Sequence, residues 1–290
     1  MKLKFIALAA MLAASGAAQA RVADSNDNVA TSGDLFANLV SASNNASFTV
    51  DLGLRLDQFV NPTVNALGVR LVWDLNNNSF NDLSAVSTGL ASQLQTLNYG
   101  SIYDGFATAA VVGASDFKFD VKAQDGVPAS LAGTGTNRYL STSSAASISA
   151  NNGQVFVMDN WDAILNASNN DTTNSTHGTD ILTAGANRFD NGDASNVNFE
   201  AGGDNWFGAT SFTSTGPASS GLNFFFLSNT SSTASLPATV NRLAGTWSFD
   251  ATTAQLTYAT APVPEAETYA MMLAGLGLVG FMVRRRNQRV

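Results

Sequence analysis

Apolar and polar residues alternate one by one from Phe48 to Asp57, and this period of two restricts the chain to extended strands with two unlike faces. Phe48, Val50, Leu52, Leu54 and Leu56 form one row, against Thr49, Asp51, Gly53, Arg55 and Asp57. The same pattern returns in Val69, Leu71, Trp73 and Leu75, and again in Phe117, Phe119, Val121 and Ala123 against Asp116, Lys118, Asp120 and Lys122. Each segment predicts an antiparallel strand with one row in a core and a polar row in water. Further strands are expected at 34–40, 105–112, 137–141, 153–158, 205–213, 222–227, 245–250 and 254–259. Turn formers separate them, among them Asn76-Asn-Asn78, Gln124-Asp-Gly126, Asn151-Asn-Gly153 and Asp190-Asn-Gly-Asp193. Helical turns are expected only at 83–97, 160–167 and 235–243. The stretch 165–203, poor in hydrophobic residues, reads as a surface loop or excursion. The fold class expected is all-β, an antiparallel β-sandwich or jelly-roll-like body.

Composition narrows the function classes. Of 290 residues, 12% are charged, about half the ~25% usual for a soluble domain. Polarity comes instead from Asn, Ser, Thr and Gly. The basic face of a nucleic-acid binder is missing, so no nucleic-acid partner is expected. With no Cys, disulfides, thiol catalysis and cysteine-ligated metals are excluded.

The two ends read as addresses. Lys2 and Lys4 precede an apolar run from Phe5 to Ala14, and Ala18-Gln19-Ala20 forms a small-residue cleavage pattern. This is the layout of a Sec-type secretory signal peptide over residues 1–20, cut after Ala20. At the other end, the apolar run Tyr269–Val283 precedes Arg284, Arg285 and Arg286. As a single hydrophobic helix over 269–283, it measures about 22 Å at ~1.5 Å per residue. That is short of the ~30 Å hydrocarbon core, so it suits a temporary stop more than a permanent span. The arginines place its end in the cytoplasm by the positive-inside rule.

The segment Val263-Pro264-Glu265-Ala266-Glu267-Thr268-Tyr269, with its apolar run and Arg284-Arg285-Arg286, closely resembles the PEP-CTERM sorting signal of Gram-negative bacteria. Ala266 stands where that signature has its second proline. The resemblance implies recognition by exosortase, a transpeptidase-like membrane enzyme, and removal of the helix. It also implies a transient inner-membrane intermediate and delivery to the cell surface or the extracellular polysaccharide matrix. The chain then divides into a signal peptide at 1–20, an exported domain at 21–260 and a sorting signal at 261–290. The body also looks like other β-rich proteins with this signal in Ser47-Phe-Thr-Val-Asp-Leu-Gly53 and Asn137-Arg-Tyr-Leu-Ser-Thr142, a likeness that supplies no mechanism.

Without Lys2, Lys4 and the four tail arginines, the body keeps 8 basic residues; without Glu265 and Glu267, it keeps 20 acidic ones, a net charge near −12. Such a charge keeps an exported protein soluble and disfavours polyanionic partners. Candidate chemistry in the body is sparse. His177, the sole imidazole, sits among Gly and small polar residues, where nothing would hold a triad base rigid. Asp74, Asn76, Asn78 and Asp82 follow the every-second-residue oxygen pattern of a calcium loop, although Ser79 stands where the sharp turn wants Gly. An Asn-rich hairpin is the competing reading. Trp161 and Trp206, in polar or Gly-rich contexts, are candidate platforms for sugar rings, whereas Trp73 and Trp247 lie on inward rows and read as core. A glycosidase needs a placed carboxylate pair, which no spacing singles out.

The expectation is thus a non-enzymatic, exported surface or biofilm-matrix protein processed by exosortase, with no cofactor unless the Asp74 loop takes calcium. A polysaccharide-binding module is the alternative, and a secreted hydrolase stands third.

Overall fold

The computed structural model describes residues 34–41, 44, 46–94, 100–110, 117–125, 137–156, 188–191, 215–218, 220–261 and 276. Eleven strands dominate: β1 (Asp34–Ser41), β2 (Ala46–Arg55), β3 (Arg70–Asp74), β4 (Ser79–Asp82), β5 (Phe117–Asp125), β6 (Arg138–Ser143), β7 (Arg188–Asn191), β8 (Gly216–Pro217), β9 (Leu222–Ser228), β10 (Thr239–Asp250) and β11 (Gln255–Ala259). They pair in the order β4-β3-β11-β10-β9-β6-β5-β1-β2-β7, with β8 on β5 off this path. Every one of these pairings is antiparallel. The expected all-β, antiparallel body is therefore present, as one sheet curled into a half-barrel.

The curl is visible in contacts between strands far apart on the path. Trp73 on β3 donates its indole N–H to the Leu52 carbonyl on β2, at 2.9 Å, although seven positions separate the two strands. Phe117 of β5 stacks on Phe249 of β10 with centroids 5.4 Å apart. The strands that carry strict alternation put one row into this interior. Leu35, Ala37 and Leu39 of β1 join Phe48, Val50, Leu52 and Leu54 of β2 in a single buried cluster.

Aromatic rings fill the centre. A short helix, α1 (Leu56–Phe59), follows β2 directly; Gln58 accepts the Arg55 N–H at 2.7 Å, and Leu56 and Phe59 turn inward. Phe59 then meets Tyr258 at 4.8 Å, Phe224 at 5.5 Å and Trp247 at 5.6 Å. Trp73 and Trp247, read from sequence as core, are both fully buried. Gly245 lies where β10 slips register against β9. A side chain there would run into the Tyr258 ring, whose hydroxyl accepts the Gly245 N–H and donates to Asn65.

Several local expectations are corrected. Residues 105–112 were expected as a strand, but Gly100–Ala110 forms a helix, α2. Ile102 and the Val111-Val112 pair suggest strand, whereas Tyr103 and Phe106, three residues apart, make one apolar helical face that packs on Phe48. Residues 235–243 were expected to be helical, yet β10 begins at Thr239, because Thr239 and Val240 find partners in Ser228 and Leu227 of β9. In place of a strand at 153–158, the chain makes a 3₁₀ turn at Gln154–Phe156, with Asn151 accepting the Gln154 N–H. Within 83–97, helical character is confined to a 3₁₀ turn at Leu90–Ser92 among the described residues. Inside the expected loop 165–203, Arg188–Asn191 adds to the edge of β2 as β7. The expected elements at 160–167 and 205–213 lie outside the described residues.

The largest correction concerns the polar rows. Along β2 and β5 they were expected to face water, but Thr49, Asp51, Asp120 and Lys122 are all buried. Beside them Phe36, Asn38 and Val40 of β1 are buried too, so the middle of the sheet is dry on both faces.

Candidate functional site

The Asp74 loop is a hairpin turn. Asp74 pairs with Ser79 at its mouth, and Trp73, Val72 and Leu71 pair in succession with Phe80, Asn81 and Asp82. Asp82 is therefore three register steps from Asp74, about 10 Å along the ladder. Both Asp74 oxygens turn to Asn77, accepting its backbone N–H at 2.9 Å and its side-chain amide at 2.7 Å. Asn78 takes a positive φ of 52°, as a tight turn requires, and Asn76 is exposed. Asp82 accepts from Ser84 N–H at 3.1 Å and from the Thr88 hydroxyl at 2.6 Å. Burial works to raise its carboxyl, and these hydrogen bonds overcome that and hold it below the ordinary value. The sequence pattern of oxygens thus maps onto two separate local hydrogen-bonding sets. Among the described residues, no three Asp, Glu or His side chains gather as a metal site.

The cluster that does gather was missed from sequence. On the reverse face of the sheet, Asn38 of β1 lies between Thr49 of β2 and Asp120 of β5, its register partners on either side. Lys122, two residues beyond Asp120, shares that face. Its Nζ sits 2.7 Å from Asp120 Oδ2, with the two side chains 2% and 0% exposed. The other carboxylate oxygen, Oδ1, accepts the Asn38 amide N–H at 2.7 Å. Thr49 donates its hydroxyl to Asn38 Oδ1 at 2.8 Å. An ammonium and a carboxylate removed from water are tolerable only when paired and further hydrogen-bonded, and Asn38 and Thr49 provide those bonds. One carboxylate therefore bridges an amine nitrogen and an amide nitrogen, while a hydroxyl polarises the amide carbonyl. The sequence signal for it is the run Phe119-Asp120-Val121-Lys122, where opposite charges fall two residues apart on one strand face.

The remaining sequence candidates lie outside the described residues: Ala18 and Ala20 of the leader, Trp161, His177, Trp206, and the tail residues Val263, Pro264, Glu265, Ala266, Glu267, Arg284, Arg285 and Arg286. Leu276 alone in the apolar run is described, as helical and exposed. Among the described residues no helix is long and apolar enough to cross a membrane.

Comparison with protein families matches residues 262–286 to the PEP-CTERM protein-sorting motif. Comparisons with curated proteins and with solved structures return no match.

Proposed function

Because the chain carries a PEP-CTERM protein-sorting motif at residues 262–286, we propose that it is an exported protein of a Gram-negative cell envelope whose body serves the surface or the extracellular matrix without enzymatic activity. The motif itself supports export and sorting by exosortase. It is the single observation that carries the reading.

In the sequence, Pro262 and Pro264 favour an extended approach to the membrane, because proline disfavours helix in the residue before it. Extended backbone offers its peptide bonds to a protease, whereas a helix hides them. The short apolar run and its arginines hold the segment in the inner membrane with the body outside. The body, with an acidic balance and an aromatic core enclosed by a curled sheet, is suited to persist outside the cell without disulfides.

The test is sorting in a host that has exosortase. Changing Pro264 and Glu265 together to Ala should leave a full-length form in the inner-membrane fraction, while the unaltered protein reaches the surface in a shortened form. Equal surface delivery and equal length for both would overturn the reading. Substituting Arg284, Arg285 and Arg286 should impair membrane retention and cleavage alike.

A further inference from the structure

We propose that Lys122 and Asn38 become joined by an intramolecular isopeptide bond, with Asp120 as the proton-transferring catalytic residue. The three groups such a bond requires stand together: an amine, a carboxamide and a buried carboxyl that touches both. Asp120 Oδ2 is 2.7 Å from Lys122 Nζ, and Oδ1 is 2.7 Å from the Asn38 amide nitrogen, which is the leaving group. The Thr49 hydroxyl, 2.8 Å from Asn38 Oδ1, stabilises the negative charge that develops there during attack. Asn38 pairs with Asp120 and Phe36 with Lys122, so Asn38 and Lys122 are diagonal neighbours on one face. Such neighbours lie about 7–8 Å apart at the backbone, within reach of a long side chain.

In the first step a proton passes from the Lys122 ammonium to Asp120 Oδ2, 2.7 Å away, leaving a neutral amine beside a neutral carboxyl. The Nζ lone pair then forms a bond to Asn38 Cγ, and the carbonyl electrons move onto Oδ1. Asp120 turns about its Cβ–Cγ bond and delivers its proton to the amide nitrogen. Collapse of the intermediate re-forms the carbonyl and breaks the bond from Cγ to that nitrogen. The proton still surplus on Nζ leaves with the departing group. The balance is one ammonium and one carboxamide in, one secondary amide and one ammonium ion out, with Asp120 again a carboxylate. No oxidant or external cofactor enters. General acid–base assistance of this kind and a fixed geometry are what convert an inert amine–amide pair into a reactive one.

The product ties β1 to β5, two neighbouring strands in the middle of the strand order, in a chain that has no cysteine with which to do the same. Covalent closure between residues so distant in sequence restricts the unfolded ensemble as a disulfide would.

Tryptic digestion of the full chain, denatured after purification, tests the bond. The expected result is a branched species joining Val22–Arg55 to Phe119–Arg138, lighter than the two parts by one ammonia, with no cleavage after Lys122. Asp120→Asn should release separate peptides at their full masses. Asn38→Asp should give a branched species lighter by one water, since hydroxyl then replaces the amide as leaving group. Separate, unmodified peptides from the folded unaltered protein would overturn the proposal and leave a charge pair only. A branched species that persists in Asp120→Asn would overturn the role given to Asp120.

Discussion

Where β1 and β5 run through the sheet, both faces are dry, yet they are filled by opposite chemistry. The inner face opens onto rings: Phe117 and Phe119 of β5 meet Phe249 at 5.4 and 6.4 Å, and beyond them Phe59, Trp73, Phe224, Trp247 and Tyr258 meet with centroids about 5–6 Å apart. The reverse face carries Asn38, Thr49, Asp120 and Lys122, joined by three contacts of 2.7–2.8 Å. Apolar packing is non-directional and loses stability in proportion to what is removed. A buried polar set has no such gradation, because taking one member leaves another without a partner. The two faces should therefore respond to substitution by different rules.

The sharpest break is Asp120→Ala. It abandons the Lys122 ammonium in a dry site and should lower the unfolding free energy by about 3–5 kcal/mol, read from urea denaturation. Replacing Asp120 and Lys122 together, by Val and Met, removes the cross-link as well but strands no ammonium, so it should cost less than that single change. A double variant as damaged as the single one would mean that the polar set contributes more than mutual neutralisation. Of similar size but simpler form is Trp247→Ala on the inner face, expected to cost about 3–5 kcal/mol through the cavity it opens, with Trp247→Phe recovering part of the loss. There the damage should track the volume removed, in contrast to the reverse face.

A smaller effect is expected at Gly245→Ala. The new Cβ would lie 2.6 Å from Tyr258 Cε2, so the ring must move and give up its hydrogen bonds to Gly245 and Asn65. Overpacking of this kind costs about 1–3 kcal/mol, measurable as a lower thermal midpoint. The smallest lies away from both faces, at Asp82. Its folded-state carboxyl is held below the ordinary value of 3.8, so it binds protons less readily than in the unfolded chain. Its contribution is present above that value and is lost as pH falls through the lower, folded one. Asp82→Asn should accordingly lower stability slightly at neutral pH, where that contribution is present, and flatten the acid limb of a stability–pH curve.

Much of this architecture was legible in the sequence, and the reason is local. Alternation marked β2, β5 and, broken only at Val72, β3, and the strands expected at 222–227 and 254–259 form as β9 and β11, because a period of two is a property of the strand itself. Alternation could not say that the polar row would be covered as well, since that depends on segments far away in sequence. Asp120 and Lys122 thus read as a wet face and are a buried pair. Helix α2 was missed because β-branched residues at its ends outweighed the Tyr103 and Phe106 spacing. For the Asp74 loop, linear spacing of oxygens suggested convergence, and the hairpin register sends Asp82 away from the turn. The sorting motif was readable without any fold, because it is recognised as a linear segment.

Sorting by exosortase is read from the intact mass of the chain recovered from the cell surface of a host with exosortase. An exosortase-sorted chain begins near Arg21 and ends close to Pro264, lacking everything after Thr268. A surface species that still carries Tyr269 to Val290 would contradict it.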